Sequence, residues 1–176
     1  MIEIGEDVRV LVQRVADRLK ARGEQLVTAE SCTGGLIAGC VTNVPGSSST
    51  FERGFVTYSN DAKTQMLGVP ADLIDKHGAV SEPVALAMAE GALRAVGARD
   101  NGEPCAHWAV AVTGIAGPDG GTPDKPVGTV WIAWAQCGQA AQAECCRFDG
   151  GRAAVRGQTV VRALQGLLER IDRDGR

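Results

Sequence analysis

Periodicity constrains this chain more than any single residue does. Segments whose apolar residues recur every three to four positions alternate with short runs of small and β-branched residues, and the alternation breaks late in the chain. Val8, Leu11, Val12, Val15 and Leu19 share one helical face, so residues 6–22 read as an amphipathic helix stopped at Gly23. Residues 25–29 read as a strand, 36–43 as a buried helix ending before Pro45-Gly46, 53–58 as a second strand and 61–67 as a helix. Pro70 opens a short helical turn that ends by Gly78. Ser81, with Pro83 in the first turn, reads as the N-cap of a helix running on to Val96. After a polar loop over 97–105, residues 107–113 form the third strand. Residues 128–135 and 140–148 then form a hairpin across Cys137-Gly138-Gln139, and 152–171 close the chain as a helix. Helix–strand alternation followed by a hairpin predicts an α/β fold, a three-layer α/β/α arrangement around a mixed, mostly parallel sheet of about five strands. With 176 residues and no internal repeat or linker, residues 1–176 are expected to form one domain.

Charge and cysteine usage remove several classes of function. Lys plus Arg number 18 and Asp plus Glu 21, a net charge of −3, so the basic footprint of a nucleic-acid binder is missing. No stretch approaches the roughly 18 uninterrupted apolar residues of a membrane span. The first seven residues are acidic rather than basic and lead into no apolar run, so no secretory signal and a cytoplasmic location are expected. The six cysteines include no CxxC pair, and His77 and His107 have no ligand-like spacing to them. The expectation is therefore no metal, with the cysteines as buried free thiols in a reducing compartment.

Four stretches are denser in Gly, Ser, Thr and Lys than a core requires. The first, Thr28-Ala-Glu-Ser-Cys-Thr-Gly-Gly35, lies at a strand end before a helix. There Ser31 would sit among converging backbone N–H groups of Cys32, Thr33 and Gly34, suited to an oxyanion or a phosphate, with Gly34 and Gly35 allowing close approach. The plain alternative is that Ser31 or Thr33 merely caps the helix. The second, Tyr58-Ser-Asn-Asp-Ala-Lys63, holds the only tyrosine and a lysine near a helix N-terminus. If buried there, Lys63 loses charge and can deprotonate a serine; if exposed, it is an ordinary helix lysine. The third, residues 113–128, follows a strand, as ligand loops do in open sheets, and carries Thr113, Gly114, Gly117, Gly120, Gly121 and Lys125. It contains neither a Walker A motif nor GxGxxG, and it is either an anion-wrapping loop or a connector. The fourth places Arg152 at the start of the last helix, as a phosphate or carboxylate fork or a solvated arginine.

Taken in order, these strings resemble the CinA C-terminal domain family, the nicotinamide-nucleotide amidohydrolases. The resemblance also draws on Pro45-Gly-Ser-Ser48, Leu67-Gly-Val69, Gly78-Ala-Val-Ser-Glu82, Met88-Ala89 and Lys125-Pro-Val-Gly-Thr-Val130, and it spans residues 6 to 172. It implies hydrolysis of the carboxamide of nicotinamide mononucleotide to nicotinate mononucleotide and ammonia. It also implies a bacterial cytoplasmic enzyme, frequently homo-oligomeric, acting on a small nucleotide without cofactor. Residue by residue, it puts the family's serine nucleophile on Ser31, its lysine on Lys63, its tyrosine on Tyr58 and the arginine of its Gly-x-Arg on Arg152. Cys32 adjoins Ser31, so a cysteine nucleophile stays open on sequence alone, as does a non-catalytic nucleotide-binding module.

Overall fold

Helix α1 (Glu6–Arg22) buries Val12, Val15 and Leu19, and Gly23 ends it in the left-handed region, donating its N–H to the Lys20 carbonyl. The computed structural model describes residues 5–174. Along the chain follow β1 (Leu26–Glu30), α2 (Leu36–Thr42), β2 (Phe51–Val56), α3 (Asn60–Leu67), α4 (Ala71–His77) and α5 (Glu82–Val96). Then come β3 (Trp108–Gly114), β4 (Thr129–Gln136), β5 (Gln142–Arg147) and α6 (Arg152–Asp174). The expected elements are all present, with ends differing by up to three residues.

The sheet runs β2-β1-β3-β4-β5. The β1 strand pairs parallel with β2 and β3, while the β3–β4 and β4–β5 pairs are antiparallel, so only β4 runs against the others. Strand alternation sends the two faces into two cores. Trp108, Val110, Val112, Val130, Ile132 and Trp134 pack against α1, α2 and α6. Ala109, Ala111, Ala133 and Ala135 pack against α5, whose own contact residues include Ala85, Ala89 and Ala92. Large residues therefore fill one layer, and small ones let α5 approach closely on the other. On the large-residue side Trp134 donates its indole N–H to the Ala163 carbonyl, and Arg170 stacks 3.8 Å from the indole ring centroid.

The chain leaves β1 toward β2 on one side and returns to β3 on the other. Between β1 and β3 the direction of winding reverses, and the carboxyl ends of these two strands open into a crevice, the usual ligand position in such sheets. Ser81 stands at the N-cap of α5 as expected, with its hydroxyl donating to the Gly78 carbonyl rather than accepting from the helix. One local expectation is corrected. Only Cys32 and Cys40 are buried; Cys137, in the hairpin turn, and Cys145, on the edge strand β5, are exposed, and Cys105 and Cys146 are half-buried. Among the described residues, no helix is long and apolar enough to cross a membrane.

Candidate active site

The crevice beyond β1 and β3 is a cavity of about 220 Å³ whose walls include Ser31, Lys63, Tyr58, Asn60, Val80, Ala116 and Arg152. Larger depressions exist between α1 and α6 (about 550 Å³) and beside Trp134 (about 240 Å³), but neither contains a nucleophile beside a base. Chemistry rather than size identifies the site.

Ser31 follows β1 directly, and its N–H extends the ladder by donating to the Val112 carbonyl. The next residues turn sharply: Gly34 (φ 60°) and Gly35 (φ 94°) take left-handed conformations that side chains resist, and α2 starts after them. Gly35, not Ser31 or Thr33, stands at the N-cap, and Ser31 is free to face the cavity.

Helix α3 delivers the base. Ser59 caps it by accepting from the Ala62 N–H, which sets Lys63 one turn in and aims it across the top of the sheet. Lys63 is 1% exposed, and its Nζ lies 3.2 Å from Ser31 Oγ and 3.0 Å from the Thr57 carbonyl oxygen. The carbonyls of Tyr58 and Ser59 accept at 3.4 Å. None of the ion pairs among the described residues involves Lys63. Burial away from water pushes its amine below the ordinary lysine range, only partly opposed by the Cys32 thiol nearby. The exposed-lysine alternative thus gives way to a buried amine touching a serine hydroxyl.

Cys32 is the poorer nucleophile. Its thiol is buried and pushed up to about 11, chiefly by burial, so the thiolate is scarce at neutral pH.

The other residues singled out in the sequence separate into two groups. Tyr58, Thr113, Gly114 and Arg152 line the cavity. Tyr58 reaches Lys63 through its carbonyl only; its exposed phenol meets Arg152 Nη2 at 3.0 Å, while Arg152 Nη1 donates to the Gly117 carbonyl. Thr113 Oγ1 donates to the Ala79 carbonyl, clipping the 78–81 loop to the end of β3. Lys125 lies outside the cavity: its ammonium donates to the His77 carbonyl at the C-terminus of α4, where helix and loop carbonyls attract a cation. Gly120 and Gly121 are also off the lining; Gly121 packs against Val127, and a Cβ there would meet its backbone nitrogen at 2.8 Å. The long loop is therefore mainly a wall, contributing Gly114 and Ala116 and a carbonyl for Arg152. The Thr33 hydroxyl turns away to donate to Glu30, and the Gly34 N–H donates to the Ser31 carbonyl.

Three participants were not legible in advance. Glu30, fully buried, accepts from the start of α2; Arg156, one turn after Arg152, donates to the Thr33 carbonyl at 2.8 Å; Asn60 stands on the cavity wall. Glu30 and Asn60 lie inside motifs already quoted, which gave them no role of their own; the signal for Arg156 was its four-residue spacing from Arg152 on α6.

The profile of the CinA C-terminal domain matches residues 8–171. A nicotinamide-nucleotide amidohydrolase PncC from Pseudomonas putida is 52% identical over 164 residues, 93% of this chain and 97% of that one. The PncC of Escherichia coli K12 is 52% identical over 162 residues, 92% and 93% of the two chains. Among solved structures, a competence/damage inducible protein CihA from Agrobacterium tumefaciens superposes with a TM-score of 0.88 at 44% identity, covering 96% of this chain and 98% of its own. Agreement over nearly the full length, in sequence and in the sheet that builds the serine–lysine crevice, means that this chain belongs to the CinA C-terminal domain family.

Proposed function

We propose that the chain, acting as one catalytic domain, hydrolyses the carboxamide of nicotinamide mononucleotide to nicotinate mononucleotide and ammonia, with Ser31 as nucleophile and Lys63 as its base. One observation carries the mechanism: a buried lysine, unpaired with any carboxylate among the described residues, lies 3.2 Å from a serine hydroxyl on a cavity wall. The relatives' names supply the substrate class.

A neutral amine has two N–H donors and one lone pair. With the Thr57, Tyr58 and Ser59 carbonyls as acceptors for the two N–H groups, the neutral amine has its lone pair left for the Ser31 hydroxyl, which then donates to it. As Ser31 Oγ bonds to the carboxamide carbon, its proton passes to Lys63 Nζ, and the carbonyl oxygen gains negative charge. The N–H groups of Cys32 and Thr33 are the donors proposed to meet it. Lys63 then returns the proton to the departing nitrogen, releasing ammonia and leaving an acyl ester on Ser31. Water, deprotonated by the same amine, attacks the ester; carboxylic acid leaves and Ser31 regains its proton. Tyr58 and Arg152 form the rim, where Arg152 is the remaining cation on the lining and the group proposed to meet the substrate phosphate. The family resemblance extends to a cytoplasmic homo-oligomer, and light scattering on the purified chain measures the second part.

Ammonia release from nicotinamide mononucleotide, free nicotinamide and the dinucleotide tests the reading. The mononucleotide is expected to turn over fastest. Ser31→Ala should abolish release while retaining nucleotide binding, and Lys63→Arg, which keeps charge but not basicity, should do the same. Near-normal turnover in either variant refutes that residue's role; no release by the wild type on all three substrates favours a binding module.

A further inference from the structure

Glu30 ends β1 immediately before Ser31 and is fully buried, yet no ion pair among the described residues includes it. Four donors hold its carboxylate. Thr33 Oγ1 at 2.6 Å and the N–H groups of Gly35 and Ile37, each at 3.0 Å, reach Oε2, and the Ala38 N–H reaches Oε1 at 2.8 Å. The positive end of α2, where an incoming anion would settle, is thus filled from inside the protein.

The remaining groups of the turn are spoken for, with two exceptions. Ser31 N–H donates to Val112, Gly34 N–H to Ser31 and Leu36 N–H to Thr33, whose carbonyl also accepts from Arg156. Among the described residues, the N–H groups of Cys32 and Thr33 have no oxygen partner; both lie against the Cys32 sulfur, a weak acceptor that a developing oxyanion can displace. A turn gripped on its N–H side by a carboxylate and on its carbonyl side by a guanidinium has little freedom to rotate these two peptides.

We infer that Glu30 is a positioning residue: by drawing the first N–H groups of α2 and the Thr33 hydroxyl onto itself, it holds the Cys32 and Thr33 N–H groups toward the reacting carbonyl oxygen and closes α2 to the substrate phosphate. The inference rests on Ser31 as nucleophile. Donors fixed in this way act on charge that exists only in the tetrahedral state, so their loss lowers kcat and leaves KM little changed.

The test uses Glu30→Gln, Glu30→Asp and Thr33→Val in the full chain. Glutamine removes the charge and sets an NH2 group against N–H donors; aspartate keeps the charge but withdraws it by one methylene; valine deletes one donor and tests the same clamp if the Glu30 variants fail to fold. Loss of an oxyanion donor costs about 100- to 1,000-fold in kcat, so a misaligned pair should cost about 10-fold or more in both Glu30 variants, with KM within about threefold. Affinity for 3-pyridylboronic acid, which forms a tetrahedral adduct on a serine hydroxyl, should fall by the same factor as kcat, whereas affinity for the nicotinate product should not. The acid limb of the pH–rate profile should stay in place, because burial and Cys32, not Glu30, set the Lys63 amine. Three results would overturn the proposal: kcat within twofold of wild type in Glu30→Gln and Thr33→Val, KM rising with falling kcat in step with lost thermal stability, or a displaced acid limb. Turnover surviving in Ser31→Ala instead sinks the nucleophile reading itself.

Discussion

Replacing Lys63 with methionine isolates the protonation state on which the mechanism turns. Methionine keeps an unbranched apolar stem in a site that is 1% exposed, and it leaves the Thr57, Tyr58 and Ser59 carbonyls without the amine. That loss is independent of pH, so it cancels from any slope. The pH-dependent part comes from linkage. In the unfolded chain Lys63 holds its proton up to about 10.4; in the folded chain burial lowers that point. Below the folded value both states are protonated, and wild type bears the full penalty of a buried ammonium. Between the folded value and about 10.4 the unfolded state binds one more proton than the folded state. There wild-type stability rises relative to Lys63→Met by up to about 1.4 kcal/mol per pH unit. Urea unfolding followed by tryptophan fluorescence at pH 7, 8, 9 and 10 measures the difference for both proteins. The wild-type advantage should grow with pH over that window and then level off. The same ionisation sets the activity: kcat/KM should climb tenfold per unit on its acid limb, with a midpoint below the ordinary lysine value. Parallel stability curves from pH 7 to 10 would refute the reasoning, because they would mean that the surrounding carbonyls hold an ammonium, which cannot take the serine proton.

Three further outcomes follow from the geometry. Arg152→Gln should raise KM for the mononucleotide about 10- to 100-fold, the worth of a charge-assisted hydrogen bond of about 1.5–3 kcal/mol, while free nicotinamide turnover barely changes; equal effects on both would remove the phosphate assignment. Iodoacetamide at pH 7.5 should label exposed Cys145 ahead of Cys32, whose thiol is pushed up to about 11, and most of the activity should survive; mass spectrometry alongside the ammonia assay checks both. Gly166→Ala would place a Cβ 2.2 Å from the Trp134 indole, which cannot retreat without losing its bond to the Ala163 carbonyl, so a cost of about 1–3 kcal/mol should appear as a lowered Tm. An unchanged Tm would show that the indole and α6 relax together.

Periodicity was enough to determine the order and type of the elements, because helix and strand burial impose different repeats on the same chain. The apolar stripe at Val8, Leu11, Val12, Val15 and Leu19 and the alternating small residues of β3 carried that information locally. Ordered motifs likewise marked Ser31, Lys63, Tyr58 and Arg152. Tertiary structure alone decided how those residues are used. Ser31 and Lys63 are separated along the chain and meet only because β1 and β3 end at a reversal of winding, over which α3 projects its lysine. Lys125 and Lys63 look alike as lysines in polar stretches, yet one reaches the carbonyl that ends α4 and the other enters a dry site. Glu30, read as one letter in a motif, gains its meaning only when four donors converge on it. Local pattern fixes which backbone form each segment prefers, but the charge state and partners of a side chain depend on solvent exclusion and through-space neighbours, which exist only once the layers have packed.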